Sequence, residues 1–216
     1  MLAEPTVSPA LDRVRTAIVS FKRGDIVVVV DDIERENEGD LVLAAVHATP
    51  EKLALIVRYT SGIVCTPLPS KLAARLRLPP MVQDNEAPFA TAFTVSVDLR
   101  QGVSTGISAE DRCRTILALA QEDAAATDFV RPGHIFPLIA REGGVLTRPG
   151  HTEASVDLCE LSGLHPVGVI CELVNDDGSV MKGDTITDFA ASHGLCVVSV
   201  VDIIAWRQRF PIGATP

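Results

Sequence analysis

Apolar residues recur along the chain with two alternating periods, one typical of helices and one typical of buried strands. Between Leu11 and Phe21 they repeat at helical spacing, which predicts a helix over residues 10–22 that ends near Gly24. The next apolar run, 26–30, does not alternate with polar residues and therefore predicts a strand covered on both faces. The two patterns continue to alternate as far as residue 209, and this order favours a sheet flanked by helices.

The same patterns predict the remaining elements. Pro137, inside one predicted strand, favours an edge position or a bulge for that strand, and Ser108 to Asp111 has the pattern of a capping box. We therefore expect an α+β fold, an α/β-type sandwich in which helices flank a mixed β-sheet. Residues 1–216 should form a single compact domain, with residues 1–9 as a frayed arm. Further strands are predicted at 41–45, 63–65, 93–97, 135–139, 167–171 and 197–201, and further helices at 50–59, 69–76, 108–120, 151–161, around 186–190 and at 203–209.

Composition narrows the class of protein. The 216 residues are 47% hydrophobic and 22% charged, enough apolar side chains to form a core. The 19 basic and 28 acidic residues give a net charge of −9, which disfavours a broad nucleic-acid surface. The chain has no apolar run long enough to cross a membrane, and its start lacks a signal-peptide pattern, so we expect a cytoplasmic protein with no membrane partner. The five cysteines contain no C-x-x-C pair, which fits neither a disulfide framework nor a zinc ribbon.

A dense acidic segment follows the predicted strand at 26–30. Arg35 is the only basic residue among residues 31–40, and carboxylate oxygens are the ligands that Mg²⁺ and Mn²⁺ prefer. A solvated acidic loop is the alternative interpretation. The acidic residues are Asp31, Asp32, Glu34, Glu36, Glu38 and Asp40.

A second polar segment, Arg148 to Glu153, precedes a predicted helix. A glycine turn that leads into a helix directs free backbone N–H groups and the positive end of the helix dipole at an anion, and Arg148 with the Thr152 hydroxyl would complete a phosphate site. His151 could bind a metal or transfer a proton. The alternative is an ordinary helix start with Thr152 as a capping residue.

Two further candidates lie near strand ends. His134 follows Arg131-Pro132-Gly133, and Glu172 follows the apolar run at 167–171. A carboxylate beside a buried strand is a candidate for acid–base chemistry, although a strand-end glutamate more often only marks the exit to solvent. The chain has no G-x-S-x-G, G-x-x-x-x-G-K-[ST] or G-x-G-x-x-G signature.

Five multi-residue motifs stand out along the chain: DDIERENEGDL at 31–41, GVSTGISAEDR at 102–112, RPGHIFPL at 131–138, RPGHTEASVDL at 148–158 and ICELVNDDG at 170–178. Taken together, they resemble the 3,4-dihydroxy-2-butanone 4-phosphate synthases of riboflavin biosynthesis. The resemblance spans nearly the whole chain in the same order. It implies conversion of D-ribulose 5-phosphate to L-3,4-dihydroxy-2-butanone 4-phosphate and formate, with Mg²⁺ or Mn²⁺, two ions per active site, in a homodimer whose sites lie near the subunit boundary. We also expect the monofunctional form, because no cyclohydrolase domain follows.

The resemblance also implies roles for individual residues. Glu36 and His151 match the metal ligands, and His134 and Glu172 match positions essential for catalysis. Glu38 or Asp40 would share proton transfers with Glu172. For Cys65 a place in the core is an equally good interpretation. The residues implied to contact substrate are Arg35, Glu36, Asp40, Cys65, Ser104, Thr105, Arg148, Pro149, Gly150, His151, Thr152 and Glu172.

Two other functions remain open at this point. A sugar-phosphate isomerase or aldolase also forms an enediol, and formate release would separate it from the synthase. A non-catalytic nucleotide-binding protein is the other alternative, because the fold of the family is similar to one found in nucleotide- and RNA-binding proteins. The net charge of −9 disfavours RNA.

Overall fold

The structure, a computed structural model, describes residues 8–212. Within this range seven strands form one mixed sheet with α-helices on both of its faces. The strands are β1 (Val27–Val30), β2 (Gly39–Ala44), β3 (Cys65–Pro69), β4 (Val97–Leu99), β5 (Phe129–Ala140), β6 (Gly168–Glu172) and β7 (Val197–Ser199). The helices are α1 (Pro9–Arg23), α2 (Pro50–Tyr59), α3 (Ser70–Arg75), α4 (Ala109–Leu119), α5 (His151–Leu161), α6 (Asp184–Ser192) and α7 (Val200–Arg209).

The strand order in the sheet is β4-β5-β3-β6-β2-β1-β7. Neighbouring strands are parallel in the pairs β1/β7 and β3/β5 and antiparallel in the other pairs. The mixed sheet between two helical layers confirms the predicted fold class. No helix among residues 8–212 combines the length and the apolar character needed to cross a lipid bilayer.

Two hydrophobic clusters cover the two faces of the sheet. Val27 and Val29 of β1 belong to the cluster that includes residues of α1, α5 and α7, whereas Val28 belongs to the cluster that includes residues of α2, α4 and α6. All three valines are fully buried. The unalternating run at 26–30 therefore reflects a strand with helices on both sides, as predicted.

The predicted helix starts are largely confirmed. Thr49 caps α2 by accepting a hydrogen bond from the backbone N–H of Lys52, and the Ser108 hydroxyl accepts one from Asp111 in α4. The predicted capping box at α4 is only half formed, however, because the Asp111 carboxylate instead accepts hydrogen bonds from residues of the preceding loop. The predicted arm at 1–9 lies mainly outside the described residues, and Pro9 already begins α1.

The prediction of an edge position for the strand with Pro137 is wrong. β5 lies between β3 and β4, and the alternative of irregular pairing is the one observed, since the register against β4 shifts between Val97 and Asp98. Proline has no N–H to donate on the β4 side, so Phe93 forms only an isolated bridge to Leu138 of β5, and Thr94 bridges to Pro80 instead. For this reason β4 begins at Val97, later than predicted.

Candidate active site

A pocket of about 200 Å³ opens where β1, β2 and β6 meet the start of α5. Nine of the residues singled out in the sequence line it. The antiparallel pairing of β2 and β6 places Asp40 directly opposite Glu172, and the turn after β1 adds further carboxylates. The lining residues are Arg35, Glu36, Glu38, Asp40, Cys65, Thr91, Phe93, Leu138, Arg148, His151, Thr152, Ile170 and Glu172.

Asp31 organises the acidic turn between β1 and β2. Its side chain is fully buried and accepts hydrogen bonds from the Arg35 guanidinium at 2.7 Å and from the backbone N–H groups of Glu36 and Glu38 at 3.2 and 2.9 Å. Burial alone would raise the pKa of Asp31, but these hydrogen bonds outweigh that effect and lower the pKa. The turn is thus held in one shape by a buried carboxylate.

Asp31, Glu36 and His151 bring three potential metal-ligand atoms within 4.8 Å of one another. The Nδ1 atom of His151 lies 3.9 Å from Oε2 of Glu36 and 3.9 Å from Oδ1 of Asp40, too far for a hydrogen bond. Oδ1 of Asp40 and Nε2 of His151 are buried and have no hydrogen-bond partner among the described residues. A set of carboxylate and imidazole donors with unsatisfied buried atoms fits a hard divalent cation.

The concentration of carboxylates shifts the proton affinity of its members. Burial and the charge of Glu172 raise the pKa of Asp40 well above its ordinary value. Burial and the charge of Glu36 also raise the pKa of Glu38. Burial lowers the pKa of His151, and the charges of Asp31 and Glu36 only partly offset that effect. His151 therefore favours the neutral state that can bind a metal.

The start of α5, beside this carboxylate group, has the features of an anion-binding site. Gly150 is the N-cap residue and makes no side-chain capping bond. A Cβ atom at this position would lie 2.6 Å from Nη1 of Arg148 and 3.1 Å from Nη2 of Arg35, so only glycine lets both guanidinium groups approach the helix end. Thr152 is buried in the first turn. Two arginines and free N–H groups at a helix N-terminus are a combination that can bind a phosphate group.

Arg148 is itself held by Phe89, Thr91 and Glu153, three residues for which the sequence predicts no role. It donates to the backbone oxygen of Phe89 from Nε and Nη2 at 3.2 and 3.1 Å, to Oγ1 of Thr91 at 2.9 Å, and to Oε2 of Glu153 at 2.7 Å. Glu153 is 1% exposed. The guanidinium of Arg35 stacks over the Phe89 ring at 4.7 Å. Pro149, predicted to contact substrate, is exposed and does not line the pocket.

His134, Ser104 and Thr105 lie outside the pocket. His134 is on β5, and β3 separates β5 from the strand that carries Glu172. Strands β5 and β6 are thus two strand spacings apart, which corresponds to a separation of roughly 10 Å. His134 bonds to Asp98, and the side chain of Asp111 holds Ser104 through its N–H at 3.1 Å and its hydroxyl at 2.6 Å. The predicted site residues therefore form two groups within one chain.

Cys65 and Glu172 complete the pocket wall on the β3 and β6 side. Cys65 is 3% exposed and pairs with Ile170 of β6. Burial and the charge of Glu172 raise the pKa of the Cys65 thiol, so this residue remains a neutral thiol in the wall. Ser61 donates a hydrogen bond to Oε2 of Glu172 at 2.6 Å, which fixes the carboxylate at the end of β6.

A larger surface depression of about 320 Å³ lies between β5, α5 and α7. Its buried charged groups, Asp157 and Arg207, already form an ion pair with each other. The depression therefore offers no unpaired charge to a ligand through these two residues, in contrast to the pocket beside α5.

The chain is similar to known proteins over most of its length. The model of the 3,4-dihydroxy-2-butanone 4-phosphate synthase family matches residues 15–206. The chain is 52% identical over 200 residues to the riboflavin biosynthesis protein RibBA of Nocardia farcinica, covering 92% of this chain and 48% of that protein. It is 54% identical over 204 residues to the bifunctional riboflavin biosynthesis protein RIBA 1, chloroplastic, of Arabidopsis thaliana, covering 94% and 38%. The chain thus spans about half the length, or less, of these relatives.

Solved structures show the same fold. A crystal structure of 3,4-dihydroxy-2-butanone 4-phosphate synthase in complex with two magnesium ions superposes with a TM-score of 0.89 at 43% identity, over 94% of this chain and 99% of the other. A cation-free form of such a synthase superposes with a TM-score of 0.85, also at 43% identity, over 91% and 97%. The family match, the identities and the shared fold agree, and the chain belongs to the 3,4-dihydroxy-2-butanone 4-phosphate synthase family.

Proposed function

We propose that this chain converts D-ribulose 5-phosphate to L-3,4-dihydroxy-2-butanone 4-phosphate and formate in riboflavin biosynthesis. The observation that carries the proposal is the position of the anion site at α5 directly beside the carboxylates of β2 and β6, in one pocket. A sugar phosphate has a dianionic phosphate at one end and ionisable C–H and O–H groups at the other. The two halves of the pocket match these two ends.

Glu36 and His151 would hold a divalent cation, Mg²⁺ or Mn²⁺, and we propose two such ions per site. Both oxygens of Asp31 accept hydrogen bonds from Arg35 or from backbone N–H groups, so its role is to order the turn that carries Glu36; Arg35 also pairs with Oε2 of Glu36, which leaves Oε1 of Glu36 for the cation. When bound, the cation polarises the carbonyl and hydroxyl oxygens of the substrate and stabilises the negative charge that develops on them.

The side chains of the protein perform the other tasks. Arg35, Arg148 and Thr152 bind the phosphate and fix the position of the carbon chain. Asp40 and Glu172 face each other, so a proton taken from the carbon next to the carbonyl by one carboxylate relieves their mutual repulsion. Glu38, whose pKa is also raised, is placed to exchange protons with the substrate oxygens.

We further propose a homodimer in which His134, with Ser104 and Thr105, completes the pocket of the partner subunit. The proposal is supported by the position of these residues outside the pocket of their own chain and by the exposure of Ser104 and Thr105. Such a dimer would place each active site at the subunit boundary.

We propose that the chain acts as one synthase domain in the cytoplasm, with a sugar phosphate and not a nucleic acid as its ligand. One continuous sheet through the described residues supports the single domain. All five cysteines are free thiols, which is typical of proteins from a reducing compartment. The net charge of −9 favours a local anion site over a nucleic-acid surface.

The test is formate release from ribulose 5-phosphate by the purified protein, first with Mg²⁺ and then with excess chelator. We expect formate that the chelator abolishes, and no formate from Glu172→Gln. Isomerised or cleaved sugar phosphate without formate would instead indicate the isomerase or aldolase. Nucleotide binding without any turnover of the sugar would indicate the non-catalytic alternative.

A further inference from the structure

Asp98 and His134 form a closely fitted pair on the neighbouring strands β4 and β5. Oδ2 of Asp98 lies 2.7 Å from Nδ1 of His134, and Oδ1 accepts the backbone N–H of His134 at 2.9 Å. Asp98 is 6% exposed, whereas the His134 side chain is 40% exposed. One buried carboxylate thus holds both the backbone and the ring of a histidine whose other face is open.

Two backbone features make this pair possible. The register of β4 against β5 shifts between Val97 and Asp98, and such irregularities redirect the side chain that follows them. Gly106, in the loop before α4, packs directly against both side chains of the pair. A Cβ atom there would lie 2.0 Å from Oδ2 of Asp98 and 2.7 Å from Nδ1 of His134, so a larger residue at Gly106 would displace one of the two side chains.

We propose that Asp98 is a positioning residue that holds His134 as the Nδ1–H tautomer and leaves Nε2 free to exchange a proton with the substrate. This inference rests on the proposed function, in which His134 takes part in proton transfer. Because a carboxylate only accepts hydrogen bonds, Nδ1 must be the protonated nitrogen of the neutral ring in this contact. Nε2 then carries the lone pair.

The step that this arrangement supports is a reversible proton transfer. The Nε2–H bond forms as a C–H or O–H bond of the substrate breaks, and the electron pair of that bond remains on the substrate. The imidazolium that results is stabilised by the Asp98 carboxylate, and the proton later returns to the substrate or to water. A carboxylate that orients and stabilises a histidine in this way acts through it without touching the substrate.

The first test measures the tautomer directly. The ¹⁵N shifts of the His134 ring nitrogens show whether Nδ1 or Nε2 carries the proton. We expect Nδ1–H in the wild-type chain. In Asp98→Asn the amide oxygen can still accept the His134 backbone N–H, but the NH₂ group that replaces Oδ2 donates to Nδ1 and forces the Nε2–H tautomer. An Nε2–H ring in the wild type, or the same tautomer in both proteins, would overturn the proposal.

The second test measures turnover of the same proteins. We expect kcat for formate release to fall by at least about a hundredfold in Asp98→Asn with little change in KM, because binding of the phosphate does not involve this pair. An unchanged kcat would overturn the role of Asp98. If the wild-type chain itself releases no formate, the proposed function fails, and the tautomer measurement still decides the positioning role.

A pair of glycine variants controls for loop strain. Gly106→Ala and Gly102→Ala change two glycines of one loop that both have positive φ, 92° and 80°. A Cβ atom at Gly102 would meet only Nη1 of Arg114, at 3.6 Å. We expect the alanine at 106 to mix the His134 tautomers and lower kcat, and the alanine at 102 to leave the tautomer as in the wild type. Equal effects of both substitutions on the tautomer would assign the change to loop strain and contradict the proposal.

Discussion

Asp40 of β2 and Glu172 of β6 stand directly opposite each other across an antiparallel strand pair. Burial raises the pKa of Asp40, and the like charge of Glu172 in this cross-strand position raises it further. Oδ1 of Asp40 also lacks a hydrogen-bond partner among residues 8–212. The sheet therefore stores unfavourable electrostatic energy at the place where the proposed reaction needs proton acceptors and cation ligands.

Replacing Asp40 should stabilise the metal-free protein against unfolding. The pKa of Asp40 is raised in the folded state. The protonated carboxyl therefore contributes to the free energy of unfolding at low pH, and this contribution is lost as the pH rises through the folded-state pKa. We expect Asp40→Asn to be more stable than wild type by up to about 1 kcal/mol at neutral pH, with a smaller difference at pH 4 to 5. Urea unfolding in chelator measures this, with Asp176→Asn in an exposed turn as the control. A variant less stable than wild type at both pH values would contradict the expectation.

Metal ions should stabilise the folded chain through Glu36 and His151. A ligand present at about ten times its Kd adds about 1.4 kcal/mol to the free energy of unfolding, which raises Tm measurably. We expect Mg²⁺ to raise Tm of the wild type but not of Glu36→Gln or His151→Ala. Glu34→Gln is the matched control, because Glu34 lies in the same acidic turn but is exposed and does not line the pocket. A normal Mg²⁺ response in either variant would remove that residue from the metal site.

Arg148 should be irreplaceable by lysine. The ammonium group of lysine cannot reproduce the bonds that the guanidinium makes to Phe89, Thr91 and Glu153. We expect Arg148→Lys to raise KM for ribulose 5-phosphate by about ten- to a hundredfold, a loss of roughly 1 to 3 kcal/mol. Steady-state kinetics checks this against Arg141→Lys, an exposed arginine outside the pocket. Equal KM values for the two variants would show that substrate binding does not need the planar guanidinium group of Arg148.

Mixing two inactive variants should restore activity if the sites are shared between subunits. In a heterodimer of His134→Ala and Glu172→Gln, one of the two sites would have neither substitution. Random reassociation of equal amounts should therefore recover about a quarter of the wild-type activity. A mixture of Glu36→Gln and Glu172→Gln should recover none, because both residues line the same pocket. Absence of recovery in the first mixture would place His134 in the site of its own chain.

Asp111 should stabilise the loop before α4 only while it is ionised. Hydrogen bonds from Ser104 lower its pKa from the ordinary 3.8 to about 2. Because the pKa is lowered in the folded state, the carboxylate contributes its full share to the free energy of unfolding above the unfolded-state pKa. That contribution is lost as the pH falls through the folded-state pKa. We expect Asp111→Ala to lower the urea midpoint at pH 7, and the difference from wild type to shrink between pH 4 and pH 2. A difference that does not depend on pH would exclude the ionised carboxylate as its cause.

Local patterns predicted most of the fold, and tertiary packing decided the rest. The hydrophobic runs located β1, β2 and β6 because these strands are buried on both faces. The run at 93–97 looked equally strand-like, yet its pairing depends on Pro137, which lies some forty residues later and supplies no N–H. A pattern confined to one segment contains no information about such a distant partner.

The pocket was more predictable than the groups that support it. Glu36, Asp40 and His151 stand in polar segments with recognisable spacing, and the structure brings them together. Asp98 was missed because it is a single acidic residue between two apolar neighbours and its partner, His134, lies on another strand. Glu153 was missed because nothing in the polar segment around it shows that its side chain is buried and bonded to Arg148. A charged residue inside a buried stretch was the available signal, since burial of an unpaired carboxylate is too costly to occur without a partner.

The four hydrogen bonds that Arg148 makes to Phe89, Thr91 and Glu153 also affect the entropy of substrate binding. A free arginine side chain loses about 2 kcal/mol of rotamer entropy when a ligand immobilises it. Here that loss has already occurred during folding, and one of the five guanidinium N–H groups has no partner among these residues. A phosphate bound here, as we propose, would meet a preorganised donor, so more of its interaction energy would be retained as affinity.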